Sequence, residues 1–162
     1  MSARVTLVSV IAAVYAITTV TLGSFGYSWI QVRIGEALAP LPILMGFPAV
    51  AGLTLGCIVA NIFSPVGLPD MVFGPLLTFC AAVLSWKLSF NKKCVACMYP
   101  VLVNALGVSA YVSSFYGVPY MASVLTIAIG EFIATVLIGY ILLTAIERTA
   151  ILKRRTLEGQ SM

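Results

Sequence analysis

Four ionisable residues lie in or beside apolar stretches where charge is costly: Arg33, Glu36, Asp70 and Glu131. At the centre of a bilayer each costs about 2.5–3.5 kcal/mol on insertion scales, so each needs a partner or a function. Glu131 falls about eleven residues into the apolar run that starts at Tyr120, roughly 16 Å along a helix, and has no cation near it in sequence. Asn104 reaches a similar depth in the preceding run, counted from the other side, so antiparallel neighbours would let the two meet. A carboxylate accepts through two oxygens, and an amide both donates and accepts. Glu131 is therefore the wall of a polar cavity or a protonated structural carboxyl.

The other polar positions carry two readings each. Gln31, Arg33 and Glu36 open the second apolar segment, and Arg33 and Glu36, three apart, share a helix face. They form an ion pair that anchors a helix end, or part of a binding site. Asp70 caps a helix at the interface or touches a ligand. Asn61 bonds between helices or binds. Cys94 and Cys97 form a C-x-x-C, but without histidine or a second pair zinc is a poor fit, and the cysteines read as small apolar residues. There is no phosphate-binding glycine loop, so the chain does not itself hydrolyse ATP, and no catalytic constellation points to an enzyme. No metal site and no cofactor is expected.

What must position these residues is a membrane bundle. The chain has 162 residues, 61% hydrophobic and only 9% charged, which is far from a soluble domain. The net charge of +4 has no soluble basic face to rest on, so nucleic acid is not an expected partner. Unbroken apolar runs exclude an alternating β-barrel pattern. At about 20 residues per span, six spans fit and leave room for short loops only. The expected spans are Val5 to Leu22, Gln31 to Met45, Pro48 to Phe63, Asp70 to Trp86, Cys94 to Ser114 and Tyr120 to Ile146. Val5–Leu22 is too long for a signal-peptide core and reads as a first helix. Pro40 and Pro42 predict a kinked second segment packed inside the bundle. Tyr27 and Trp29 suit a membrane interface.

The fold expected is thus all-α, a bundle of six transmembrane helices. Residues 1–150 form the membrane domain and 151–162 a basic tail. In that topology eight of the nine basic residues share one face: Arg4, Lys87, Lys92, Lys93, Arg148, Lys153, Arg154 and Arg155. The positive-inside rule makes that face, and both termini, cytoplasmic. The first span carries small residues on one side, Ser9, Ala12, Ala13 and Ala16, a face that lets another helix approach closely.

Several stretches resemble the QueT family of proposed queuosine-precursor transporters. They are Gln31-Val32-Arg33-Ile34-Gly35-Glu36-Ala37-Leu38, Gly52 through Asn61, Gly67 through Gly74, Val103-Asn104-Ala105 and Ile129-Gly130-Glu131. The resemblance covers nearly the whole chain, and the Q-x-R-x-x-E-A-L stretch is its most specific piece. It implies the substrate-binding S component of an energy-coupling factor (ECF) importer in a prokaryotic cell membrane, a six-helix bundle holding its ligand towards the outside. It also implies partners, namely a membrane scaffold subunit and two ATPase subunits. The scaffold would contact the small face of the first helix, here Ala12 and Ala16 with Ser9 and Ala13.

The ligand implied is a deazaguanine base, with adjacent N–H and amine donors beside a carbonyl. One carboxylate can accept both donors in charge-assisted bonds. Glu131 is the expected acceptor and Asn104 its helper. Glu36 or Asp70 would face a cationic substituent, Arg33 would hold Glu36, and Tyr27, Trp29 and Tyr111 would offer stacking surfaces. Two other readings remain: a self-sufficient small-molecule transporter or channel, and a membrane scaffold whose buried polar groups only hold helices together.

Overall fold

The computed structural model describes residues 2–21 and 33–159, with side chains as far as Thr149, and every regular element among them is helical. Helix α1 is Ala3–Thr21. A short 3₁₀ turn, Ile34–Leu38, and the four-residue helix α2, Pro42–Met45, follow. Then come α3 (Phe47–Asn61), α4 (Leu68–Lys87) and α5 (Lys93–Tyr116). Helix α6 (Tyr120–Glu131) runs through a π-helical stretch, Phe132–Gly139, into α7 (Tyr140–Gly159). The last helix continues past residue 150.

Among the described residues four helical stretches are long and apolar enough to cross a membrane: Ala3–Thr21, Leu68–Lys87, Lys93–Tyr116 and Tyr120–Thr149. Ile34–Met45 and Phe47–Asn61 are shorter. At 1.5 Å per residue α3 rises only about 22 Å, against about 30 Å of hydrocarbon. Of the six spans expected, four are full-length helices and two, the second and the third, are short segments. The physical cause is the sequence between them. Pro40 and Pro42 break the second segment, as predicted, and Gly46 turns the chain at φ 64°. Pro48 sits in the first turn of α3, where its missing N–H costs nothing.

Among the described residues these six segments nevertheless run between two ends of the bundle. One end gathers Arg4, which lines a groove with Phe47 and Pro48, the Phe47–Trp86 ring pair, and the Lys93–Glu147 salt bridge. Lys87 lies 3.7 Å over the Trp86 ring. The other end gathers Thr19 against Gly35, Asn61 against Asp70, and Tyr111. Between them lies the main core, with Ile11, Tyr15, Leu41, Val50, Leu53 and Leu143 buried together. Helices α1 and α3 meet closely because Gly52 and Gly56 face α1. A β-carbon at position 56 would lie 2.8 Å from both the Ala12 carbonyl and the Tyr15 β-carbon.

Two irregularities are satisfied by side chains. Pro100, inside α5, has no N–H for the Ala96 carbonyl one turn back. Ser85 Oγ of α4 donates to that carbonyl at 2.8 Å. In the π stretch, Thr135 Oγ1 lies 2.8 Å from the Glu131 carbonyl and 3.0 Å from the Cys97 carbonyl. The widened turn thus begins right after Glu131 and is tied to α5, a placement common at functional sites.

A candidate ligand site of buried polar side chains

At the end opposite the basic cluster, six helical elements each send polar side chains inward. Helix α1 supplies Tyr15 and Thr19, one turn apart. Arg33 precedes the 3₁₀ turn that carries Glu36. Helix α3 supplies Cys57 and Asn61, again one turn apart, α4 supplies Asp70 and Thr78, and α5 and α6 supply Asn104, Tyr111 and Glu131. All but Tyr111 are buried, and Arg33, Glu36, Asp70 and Glu131 are only 4%, 1%, 0% and 4% exposed.

Arg33 pairs with Asp70, its Nη2 lying 3.0 Å from Oδ2 and 3.3 Å from Oδ1. Tyr111 donates to Asp70 Oδ1 at 2.7 Å. Asp70 therefore lies in the first turn of α4 as the counter-ion of Arg33, and its side chain does not cap the helix. Asn61 Nδ2 donates to the Asp70 backbone carbonyl at 2.7 Å, which ties α3 to α4. Glu36 is held from α1, where the Tyr15 hydroxyl donates to Oε1. Asn104 Nδ2 donates to Glu131 Oε1 at 2.9 Å, so the two residues expected to meet across antiparallel helices do so. Glu131 in turn lies within electrostatic reach of Glu36 and Arg33, which makes these groups one cluster. Formally it holds one guanidinium and three carboxylates.

The cluster is not saturated. Glu131 Oε2, Asn61 Oδ1, Thr19 Oγ1, Ser109 Oγ and Ser123 Oγ are buried with no hydrogen-bond partner. They come from α1, α3, α5 and α6, all on the same half of the bundle, and Thr144 Oγ1 in α7 lies apart. An orphaned buried polar atom costs about 1–3 kcal/mol, so each marks a polar contact still to be made.

Tyr27, Trp29 and Gln31 lie outside the described residues. Tyr111 stacks on Phe73, with ring centroids 6.0 Å apart, so one of its faces is already engaged. On α1 the four small residues divide. Ala16 is buried and Ala12 half-buried against α3, whereas Ser9 and Ala13 are exposed. Sequence reasoning missed Tyr15, Thr19, Thr78, Ser109 and Ser123, and it took Cys57 as merely apolar. Cys57 Sγ in fact lies 3.3 Å from Thr78 Oγ1. The missed signal was periodic. Tyr15 and Thr19, Cys57 and Asn61, and Ser123 and Glu131 recur at whole-turn spacings in otherwise apolar runs.

Among the described residues no group of histidine, cysteine, aspartate or glutamate could hold a metal. No curated protein and no solved structure matches the chain. An apolar helical bundle with buried polar side chains gathered towards one end has the construction of a membrane protein. A family model described as QueT transporter matches residues 5–148, nearly the whole length, and the chain belongs to the QueT transporter family.

Proposed function

We propose that this chain is the substrate-capturing membrane subunit of an ATP-driven importer, an ECF-type S component, whose ligand is a deazaguanine queuosine precursor. In this reading both termini and the basic end lie in the cytoplasm, as the positive-inside rule favours, and the polar cluster lies towards the outside. A scaffold subunit docks along α1, and two ATPase subunits supply the energy that this chain has no means to harvest.

The observation that carries the reading is Glu131 Oε2, a buried carboxylate oxygen without a partner beside an amide that already holds Oε1. The ring N–H and exocyclic amine of a guanine-like edge are adjacent donors. Glu131 accepts them through Oε2 and the remaining lone pair of Oε1, in bonds stronger than those between neutral groups. Asn104 fixes the carboxylate's orientation before the ligand arrives, so little ordering cost falls on binding. Arg33, neutralised by Asp70, stiffens the wall between α4 and the 3₁₀ turn.

The experiment is ligand affinity of purified wild-type and Glu131→Gln protein. Glutamine keeps the size but presents one acceptor and one donor, so affinity for 7-deazaguanine bases should fall by about tenfold or more. Unchanged affinity in a folded variant would remove Glu131 from the site. Native mass spectrometry of the wild-type protein asks independently which small molecule travels with it.

A further inference from the structure

Arg4 has no acid to answer it. Neither ion pair among the described residues uses it, since Asp70 is matched to Arg33 and Glu147 to Lys93. Glu36 and Glu131 lie at the far end of the bundle, held by Tyr15 and Asn104. Arg4 instead lines an open groove of about 420 Å³ between α1 and α3, with Val5 and Val8 on one wall and Phe47, Ala51 and Leu55 on the other. The groove follows from residue size. Gly52 lets the two helices touch on their inner side, where a β-carbon would lie 2.8 Å from that of Ile11. On the outer side the small Ser9 and Ala51 leave the space between the helices unfilled. Both helices start at the basic end, so the groove runs inwards from Arg4 and Phe47, about 12 Å along α3 as far as Leu55.

The walls are apolar and uncovered. Val5, Phe47 and Leu55 are 49%, 55% and 49% exposed, on helices whose outer faces meet hydrocarbon. One cation at the mouth of an apolar slot complements an amphiphile with an anionic head. A partner helix needs a seam along its whole contact, and this groove stops where Gly56 draws α3 against Ala12. The next groove on the seam, lined by Ala16 and Val59, begins beyond that closure and is separate. The planar fork of arginine matches the oxygens of a phosphate. Lys87, over the Trp86 ring that packs on Phe47, adds positive potential at the same end. We propose that this groove binds one anionic phospholipid from the leaflet at the basic end, with its phosphate on Arg4 and the upper part of an acyl chain between α1 and α3. The site belongs to the chain before a partner subunit covers α1, and it is independent of the ligand that the chain carries.

The test is native mass spectrometry of the purified full chain, with phosphatidylglycerol or phosphatidylcholine of identical acyl chains added in equal amounts. The wild type should retain one phosphatidylglycerol and prefer it by at least about fivefold, the scale of one basic side chain against an anionic lipid. Arg4→Gln should bring the ratio towards one. Lys92→Gln removes a charge from the same end of the bundle, in the turn before α5, and should leave the ratio as in the wild type. Ser9→Leu fills the groove and should lower retention of both lipids. Glycerol phosphate, which has the charge without the chains, should not be retained. Equal retention of the two lipids by the wild type would overturn the proposal. So would a ratio untouched by Arg4→Gln or lowered as much by Lys92→Gln, and so would retention of glycerol phosphate. A dimer of the chain that carries no lipid would give the groove to a second copy instead.

Discussion

A β-carbon on residue 74 would lie 2.2 Å from Asn61 Nδ2, so Gly74 is what allows Asn61 to reach the Asp70 carbonyl. The obstacle is the far end of a side chain, and Asn61 can swing away. Gly74→Ala should therefore fold, lose the Asn61–Asp70 bond and fall in stability by about 1 kcal/mol. Asn61→Ala should cost a similar amount, and the double variant little more than either alone, because both remove one bond. Thermal unfolding in detergent measures the cycle. Additive losses would mean that Gly74 serves some other contact.

Much of this arrangement was legible before any coordinates. Apolar runs and two prolines marked the helical segments, though not which of them are long enough to cross a membrane. Depth arithmetic alone brought Asn104 to Glu131. Other features were hidden for physical reasons. Arg33 finds its ion partner 37 residues away in Asp70, a contact that no local spacing encodes. The neighbour three residues on, Glu36, is claimed by Tyr15 of α1 instead. The third segment is the 15-residue α3, buried on one side against α1 and α4 with Leu55, Ile58 and Val59 exposed on the other, and hydrophobicity alone did not tell this short helix from a full span. The π stretch after Glu131 left no sign either, since the register of backbone bonds is not a property of side-chain pattern.

Tyr15→Phe tests the tie between α1 and the 3₁₀ turn. The ring stays packed at 0% exposure, so the change removes only the hydroxyl that donates to Glu36. Bonds to charged groups contribute about 1.5–3 kcal/mol, and stability should fall within that range. Ligand affinity should weaken as well, because Glu36 loses its fixed orientation. An unaltered melting temperature together with unaltered affinity would show that the bond holds nothing in place.

Ser85→Ala asks what Pro100 costs. Proline leaves the Ala96 carbonyl without its intrahelical donor, and Ser85 replaces that donor from α4 at 2.8 Å. Ser85 is fully buried, so no water stands ready to take over. The alanine variant should lose about 1 kcal/mol. In a Pro100→Ala background the helix N–H returns, and the same serine substitution should then cost much less. Equal costs in both backgrounds would dissociate Ser85 from the proline.

The division of small residues on α1 predicts where a partner helix can be blocked without harming the bundle. Ala16 is 9% exposed and Ala12 faces Gly56 of α3, so bulky side chains there must force α1 and α3 apart. Overpacking of that kind costs about 1–3 kcal/mol. Ala16→Leu should therefore lower the melting temperature of the isolated chain and impair ligand binding along with uptake. Ser9 and Ala13 are exposed on the same helix, Ser9 on the wall of the open groove shared with Phe47 and Pro48, where a larger side chain has room. Ser9→Leu with Ala13→Leu should leave stability and ligand affinity near wild type while reducing uptake by cells that also produce the scaffold and ATPase subunits. Wild-type uptake in that double variant would place the docking face elsewhere on the bundle. Loss of binding in it would instead mean that the outer face of α1 belongs to the ligand site.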